Sequence, residues 1–229
     1  MVFLFFCVFL VVSSYNLVMK NMKEIIKNYN QINSKCIINR GGIVHDFYHL
    51  KWYQKWLIIS DYWYNIKEDR GFSKNIIEII DYYLWLLDLS IYCVKDYDEY
   101  ISEGIPSHRF YDISVLNNPL YMVIDIKERD LGEFIKYLFW SNQYQDFDFR
   151  FFLNKNYDYN YDLVLSRIIY PNYFFDKIYD SFVRKEEICD IKDVVDRQKE
   201  FELFLDHLIS VLIENKKIKN SFLAKLFRN

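Results

Sequence analysis

The sequence predicts a mainly α-helical protein with one small β insertion. Glycine (5) and proline (3) are scarce among 229 residues, too few for the tight turns of an all-β fold. Apolar residues make up 52% of the chain, enough to bury a core and to argue against disorder. From about residue 20 onward they recur mostly at three- and four-residue spacing, the period of a helix face.

Residues 1–12, MVFLFFCVFLVV, are almost wholly apolar and rich in Val and Phe. The run is shorter than the ~20 residues that span a bilayer, so it is expected as a buried strand. No basic residue precedes it, although Val12-Ser13-Ser14 has the small side chains of a cleavage site, which keeps a secreted form open. Tyr15–Met19 reads as a crossover and Asn21–Asn33 as a helix with Met22, Ile25, Ile26 and Tyr29 on one face. Gly41-Gly42 breaks the chain. His45–Glu68 carries a strong helical pattern. Leu50, Tyr53, Leu57 and Tyr64 share one face, and Trp52, Trp56, Ile59 and Trp63 the adjoining one. Asp69-Arg70-Gly71 ends it, and Ser73 is placed to cap a long helix to about Tyr97, with Ile76, Ile77, Ile80, Tyr83, Leu84, Leu87 and Ile91 at helical spacing. Glu103-Gly104-Ile105-Pro106 opens an irregular segment that ends in a strand, Tyr121–Ile124. Helices are expected again near 130–140, 145–153, 160–169, 172–184 and 187–214, with Pro171 as one boundary because the residue before a proline is pushed out of helical geometry. Two units follow: 1–18 as a remnant strand or signal-like segment, and 19–229 as one helical body.

The formal net charge of −3 supplies no global basic field, so a nucleic-acid partner is not expected. Cys7, Cys36, Cys93 and Cys189 are far apart with no CxxC pair, which predicts reduced, buried thiols in a cytosolic protein and no zinc site. Alanine occurs once, at Ala224, while Asn, Ile, Lys, Tyr and Phe abound, a bias matching translation of an AT-rich genome.

Several constellations could carry chemistry. His45 and His49 have metal-ligand spacing, yet no acid stands in the HExxH position and no third ligand is evident, so structural histidines are expected. Trp52, Trp56, Trp63 and Trp85 could stack bases or sugars, but their spacing fits packing between helices 45–68 and 74–97. His108-Arg109-Phe110 precedes the Tyr121–Ile124 strand, and Asp125 ends that strand. Alone, one carboxylate is a weak magnesium site, so Asp125 is expected as a loop or cap acid, and as the one weak metal candidate. Asp130 is expected to cap the helix that follows, and Arg129 to tie that helix to the loop by a charge-assisted bond.

In chain order, His108-Arg109, Tyr121-Met122-Val123-Ile124-Asp125 and Arg129-Asp130-Leu131-Gly132-Glu133-Phe134-Ile135 resemble the kinase-like spore coat proteins of the YutH/CotS type, within the wider aminoglycoside/choline phosphotransferase group. The run Leu165–Asp176 is similar to that family's R-L-L-F-P-x-x-F-D segment, and Arg197-Gln198-Lys199-Glu200-Phe201-Glu202 to its late RQ-x-x-(F/Y)-E helix. Trp52, Trp56 and Ser60-Asp61-Tyr62 resemble its tryptophan-bearing helix. The resemblance covers about residues 20–210. It implies the C-lobe of a protein-kinase-like fold, a sporulating low-GC Gram-positive host, other spore coat proteins as partners, and a path from the mother-cell cytoplasm to the coat.

The chain departs from the family's catalytic pattern. Residues 1–18 are too few for an N-lobe, and no Gly-rich loop or strand lysine is present. Where the catalytic loop of such enzymes carries an Asp, Phe110 stands; where it carries a metal-binding Asn five residues later, Val115 stands. Asp112 and Asn117 are each two residues out of register. The expectation is a catalytically inactive scaffold without cofactor or metal, with His108, Arg109 and Phe110 as degenerate loop positions. A divergent small-molecule phosphotransferase using His108, Asp112 and Asp125, and a secreted or membrane-tethered helical protein directed by residues 1–14, stay open as alternatives.

Overall fold

In the computed structural model, residues 38–39, 49–69, 71–95, 103–108, 122–142, 144, 159–183, 191–218 and 221–226 are described. The expected strand at 1–12, the crossover at Tyr15–Met19 and the helices at 21–33 and 145–153 lie outside them.

The described part is mainly helical. A π-helical turn, His49–Gln54, runs into α1, Lys55–Asp69, and α2 follows at Lys74–Lys95. Ser73 sits where the sequence places a cap: its carbonyl accepts the Ile77 N–H at 3.0 Å. Gly71 turns the chain between the two helices at φ +63°, a left-handed backbone that costs glycine little. Of the α2 stripe, Ile80, Tyr83, Leu84, Leu87 and Ile91 are buried, and Ile76 and Ile77 in the first turn are half-buried.

The segment opening at Glu103 is not irregular. It forms strand β2, Glu103–His108, between the two-residue strand β1, Ile38–Asn39, and β3, Met122–Asp125. Both pairings are antiparallel, and β2 meets β3 from Ile105↔Asp125 to His108↔Met122. Pro106 is tolerated because β1 reaches only Glu103 and Gly104. At Pro106 the flank of β2 away from β3 has no strand partner among the described residues, so the missing N–H breaks no ladder there.

From β3 the chain enters α3, Lys127–Trp140. Then come α4, Tyr161–Ile169; α5, Asn172–Ile178, prolonged by a π-helical turn, Tyr179–Val183; α6, Ile191–Glu214; and α7, Ser221–Leu226. Asn160 caps α4 by accepting from the Asp162 and Leu163 N–H groups, and Pro171 separates α4 from α5 as expected. Helix α4 lies at the centre, packed against both α2 and α3, and nearly every residue on it is buried.

At Gly132 on α3 the helix packs close against α4. A Cβ there would stand 2.9 Å from Cβ and Cγ of Arg167 on α4 and 3.4 Å from the Val164 carbonyl oxygen. Those are the rooted atoms of the arginine, not its mobile end. Gly132→Ala is therefore expected to push α3 and α4 apart and to lower stability by about 1–3 kcal/mol, read as a lower urea midpoint at unchanged slope.

Candidate functional site

The tryptophan helix, the β3–α3 junction and α4 converge on one buried layer. Asp125, the last residue of β3, is 1% exposed. Its Oδ1 accepts the Ile126 N–H at 2.9 Å. Its Oδ2 accepts the Trp52 indole N–H at 3.3 Å and pairs with Arg129 Nε at 3.4 Å. Burial pushes this carboxyl up from its ordinary value; Arg129, the Ile126 N–H, Arg167 and the Trp52 indole oppose that rise without cancelling it.

The expectation for Arg129 holds, since it ties α3 back to the strand. The expectation for Asp130 does not. The N-cap of α3 is Ile126, which makes no side-chain cap bond, and Asp130 lies fully buried inside the first turn. The acid that serves the helix start is Asp125, one residue before the cap. Strand pairing decides this, because β2 carries β3 through Asp125 and so fixes that side chain against the helix entry.

Behind Asp125 lies a second charged group. Arg167 Nε donates to Glu133 Oε1 at 2.5 Å, and its guanidinium lies 5.5 Å from the Trp52 ring, 5.8 Å from Trp56 and 6.0 Å from Tyr170. Burial alone would raise Glu133, but the charges of Arg167, Lys136 and Arg129 outweigh it and bring the carboxyl down to about 2. One turn further along α3, Lys136 is buried and donates to the Tyr170 carbonyl at 3.0 Å and to Asn172 Oδ1 at 2.8 Å. Burial lowers its ammonium to about 7, Arg167 and Arg129 push the same way, and Glu133 and Asp176 only partly offset them.

That lysine gives the fold a pH signature. Above about pH 7 the folded chain releases a proton that an unfolded lysine holds until about 10.5, so stability rises with pH through this window. Cys93 closes the window from above. Its thiol is pushed by burial from 9.0 to about 12, so folding loses stability as pH rises beyond 9. Urea midpoints of the native protein are expected to climb from pH 7 to 9, and those of Lys136→Met to stay level. An equal climb in both would show that another group is responsible.

Trp52, Trp56 and Trp63 are buried as their spacing implies, but not chiefly in the seam between α1 and α2. Trp56 stacks on Tyr170 at 4.8 Å and Trp63 packs on Phe175 at 5.0 Å, both rings from the α4–α5 segment. Trp85 points outward at 47% exposure. The reason is that α2 turns its Ile80–Leu87 face to α4, leaving Trp85 on the opposite side.

His108 closes β2 opposite Met122. Arg109, Phe110, Asp112, Val115 and Asn117 lie outside the described residues, as do His45, Cys7, Cys36 and Cys189. His49 opens the π-helical turn, and Cys93 is a free, buried thiol.

Sequence reasoning gave no role to Arg167, Glu133 or Lys136. A signal was available: Arg129, Glu133 and Lys136 recur at four and three residues on a helix that also carries Leu131, Phe134, Ile135, Leu138 and Phe139. A charged stripe running beside those apolar residues marks a buried polar layer.

Magnesium with a nucleotide is the group that the resembled family implies, and Asp125 is the residue that would hold it. The fit is poor. Both carboxylate oxygens are engaged, and the nearest charges, Arg129 and Arg167, repel a divalent cation. Among the described residues no group of three potential metal ligands forms. No described helix is long and apolar enough to cross a membrane. No family model, curated protein or solved structure matches the chain.

Proposed function

We propose that this protein is a catalytically inactive helical scaffold of the kinase-like spore coat type, corresponding to the C-lobe of that fold. The observation that carries the reading is the commitment of Asp125. The residue at the position of a phosphotransferase's metal-binding acid is sealed under Trp52, bonded to the Ile126 N–H and paired with Arg129. A carboxylate so placed holds a strand to a helix.

The packing of the motif segments on one another adds support. The tryptophan helix meets the Leu165–Asp176 run through Trp56 and Tyr170. The late Arg197 helix reaches α3, where the guanidinium lies 4.3 Å from the Phe139 ring and donates to the Phe139 carbonyl at 3.2 Å. On this reading the protein works by presenting packed helices to other coat proteins.

Thermal unfolding with and without magnesium and ATP tests the catalytic half of the proposal. No change in Tm is expected, because a ligand that binds the native state raises Tm by mass action. A clear rise would establish a nucleotide site and overturn the scaffold reading in favour of a divergent phosphotransferase. A fluorescent fusion followed through sporulation of the host tests the other half: signal is expected at the forming coat, and its absence from spores would remove the coat assignment.

A further inference from the structure

The Glu202 carboxyl on α6 is met on one side only. Its Oε2 accepts from the Tyr82 hydroxyl on α2 at 2.9 Å, a surface bond between residues 120 positions apart. Its Oε1 is closed off from solvent and has no hydrogen-bond partner among the described residues. An ionised carboxylate spreads its charge over both oxygens and takes donors at both. A buried charge without a donor costs far more than a buried carbonyl oxygen without one. The neutral acid suits the same seat. Its proton lies on Oε2 beside the Tyr82 oxygen, and only a carbonyl oxygen is left at Oε1.

The titratable groups facing this carboxyl are the Tyr82 and Tyr83 phenols of α2, both held up by burial, and Lys199 one turn earlier on α6. Burial pushes the Glu202 carboxyl up from 4.5, and the Tyr82 bond and the Lys199 charge oppose that rise without cancelling it. The Lys199 side chain is 67% exposed and lies 4.0 Å from Asp196, so solvent and a second acid weaken its pull.

We propose that Tyr82 and Glu202 form a pH-operated latch between α2 and α6, closed in acid and released as the carboxyl ionises. Release takes little movement. Oε2 already lies at the surface, so rotation about the last side-chain bonds carries both oxygens into water. The seat of α6 on α3 is indifferent to pH in this range. Phe201 packs on Phe139 at 5.0 Å and on Trp140 at 5.6 Å, and Arg197, which keeps its charge, donates to the Phe139 carbonyl. Helix α6 therefore stays on α3 while its tie to α2 lets go. The group set free is Tyr82, 44% exposed and stacked on Trp85 at 6.3 Å. Acid thus holds this aromatic surface in one arrangement, and ionisation loosens it.

The folded chain keeps the Glu202 proton above pH 4.5, where an unfolded glutamate has released it. The latch therefore contributes in full below 4.5, and its contribution fades as pH rises through the window above that value.

NMR of the full chain with isotope-labelled tyrosine and glutamate follows the latch directly, the Tyr82 ring signal being the one missing from Tyr82→Phe. Between about pH 4 and pH 8 that signal is expected to pass through a single one-proton transition centred above 4.5. Its cross-relaxation with the Glu202 methylenes is expected to disappear across the same transition. In Glu202→Gln, which keeps an oxygen for Tyr82 and cannot ionise, the ring signal and the contact are both expected to stay level. A transition that persists in Glu202→Gln would overturn the assignment to this carboxyl. A Tyr82–Glu202 contact that survives ionisation in the native chain would overturn the latch itself.

Discussion

Asp125→Ala is expected to lower stability by about 3–5 kcal/mol, the cost of leaving a buried charge without its partner. The substitution removes the carboxylate that the Trp52 indole N–H, the Ile126 N–H and Arg129 share in a largely buried site. For a chain of this length such a loss lowers Tm by about 10 °C. Asp125→Asn separates charge from shape. It keeps an oxygen for one donor but presents an amide to Arg129, so it is expected to lose a large part of the same stability. A metal-holding acid would behave differently: neutralising a carboxylate that faces an open site removes repulsion and leaves the fold intact or firmer. Unfolding of both variants in urea decides the matter. An Asp125→Asn midpoint at or above the native value would show that the carboxylate is a functional group and not a structural one.

Arg167→Ala is the second large effect. The guanidinium bridges Glu133 to a platform of Trp52, Trp56 and Tyr170, so its loss removes an ion pair and three ring contacts together. Glu133 is left at 17% side-chain exposure with its main partner gone. A loss of about 3–5 kcal/mol is expected. Arg167→Lys recovers only part of it, because a single ammonium cannot lie flat on the rings and also meet the carboxylate as a planar guanidinium does. The pH dependence identifies the mechanism. The Glu133 carboxyl, ordinarily near 4.5, is held at about 2, so its contribution is present above pH 4.5 and is lost as pH falls from there toward 2. Arg167→Ala is expected to flatten the acid limb of the stability curve as well as to lower the whole curve. A lowered curve with the native acid limb would assign the loss to the ring contacts alone.

The helices were legible because periodicity is local. The stripe Ile80, Tyr83, Leu84, Leu87 on α2 and the Pro171 boundary after α4 follow from spacing and from what a proline does to the residue before it. The β2 strand was not legible. Gly104 and Pro106 disfavour a strand taken alone, and only the partner β3 makes the extended form worthwhile. Asp125 was legible as a position and as a structural acid, but its partner Trp52 lies 73 residues away. Asp130 was misread for the same reason. Helix starts are set by where the preceding strand delivers the chain, and β3 delivered it three residues earlier than local pattern implied.

By itself, then, the sequence determined a helical chain with a buried aromatic stripe and a strand ending in an acid, because helix period and apolar content are properties of neighbours along the chain. The tertiary structure alone decided what the acid meets, which tryptophans are covered, and that Arg129, Glu133, Lys136 and Arg167 form one layer. Those outcomes depend on which faces come together, and a buried charge takes its partner from whatever the fold places within a few ångströms, at any distance in sequence.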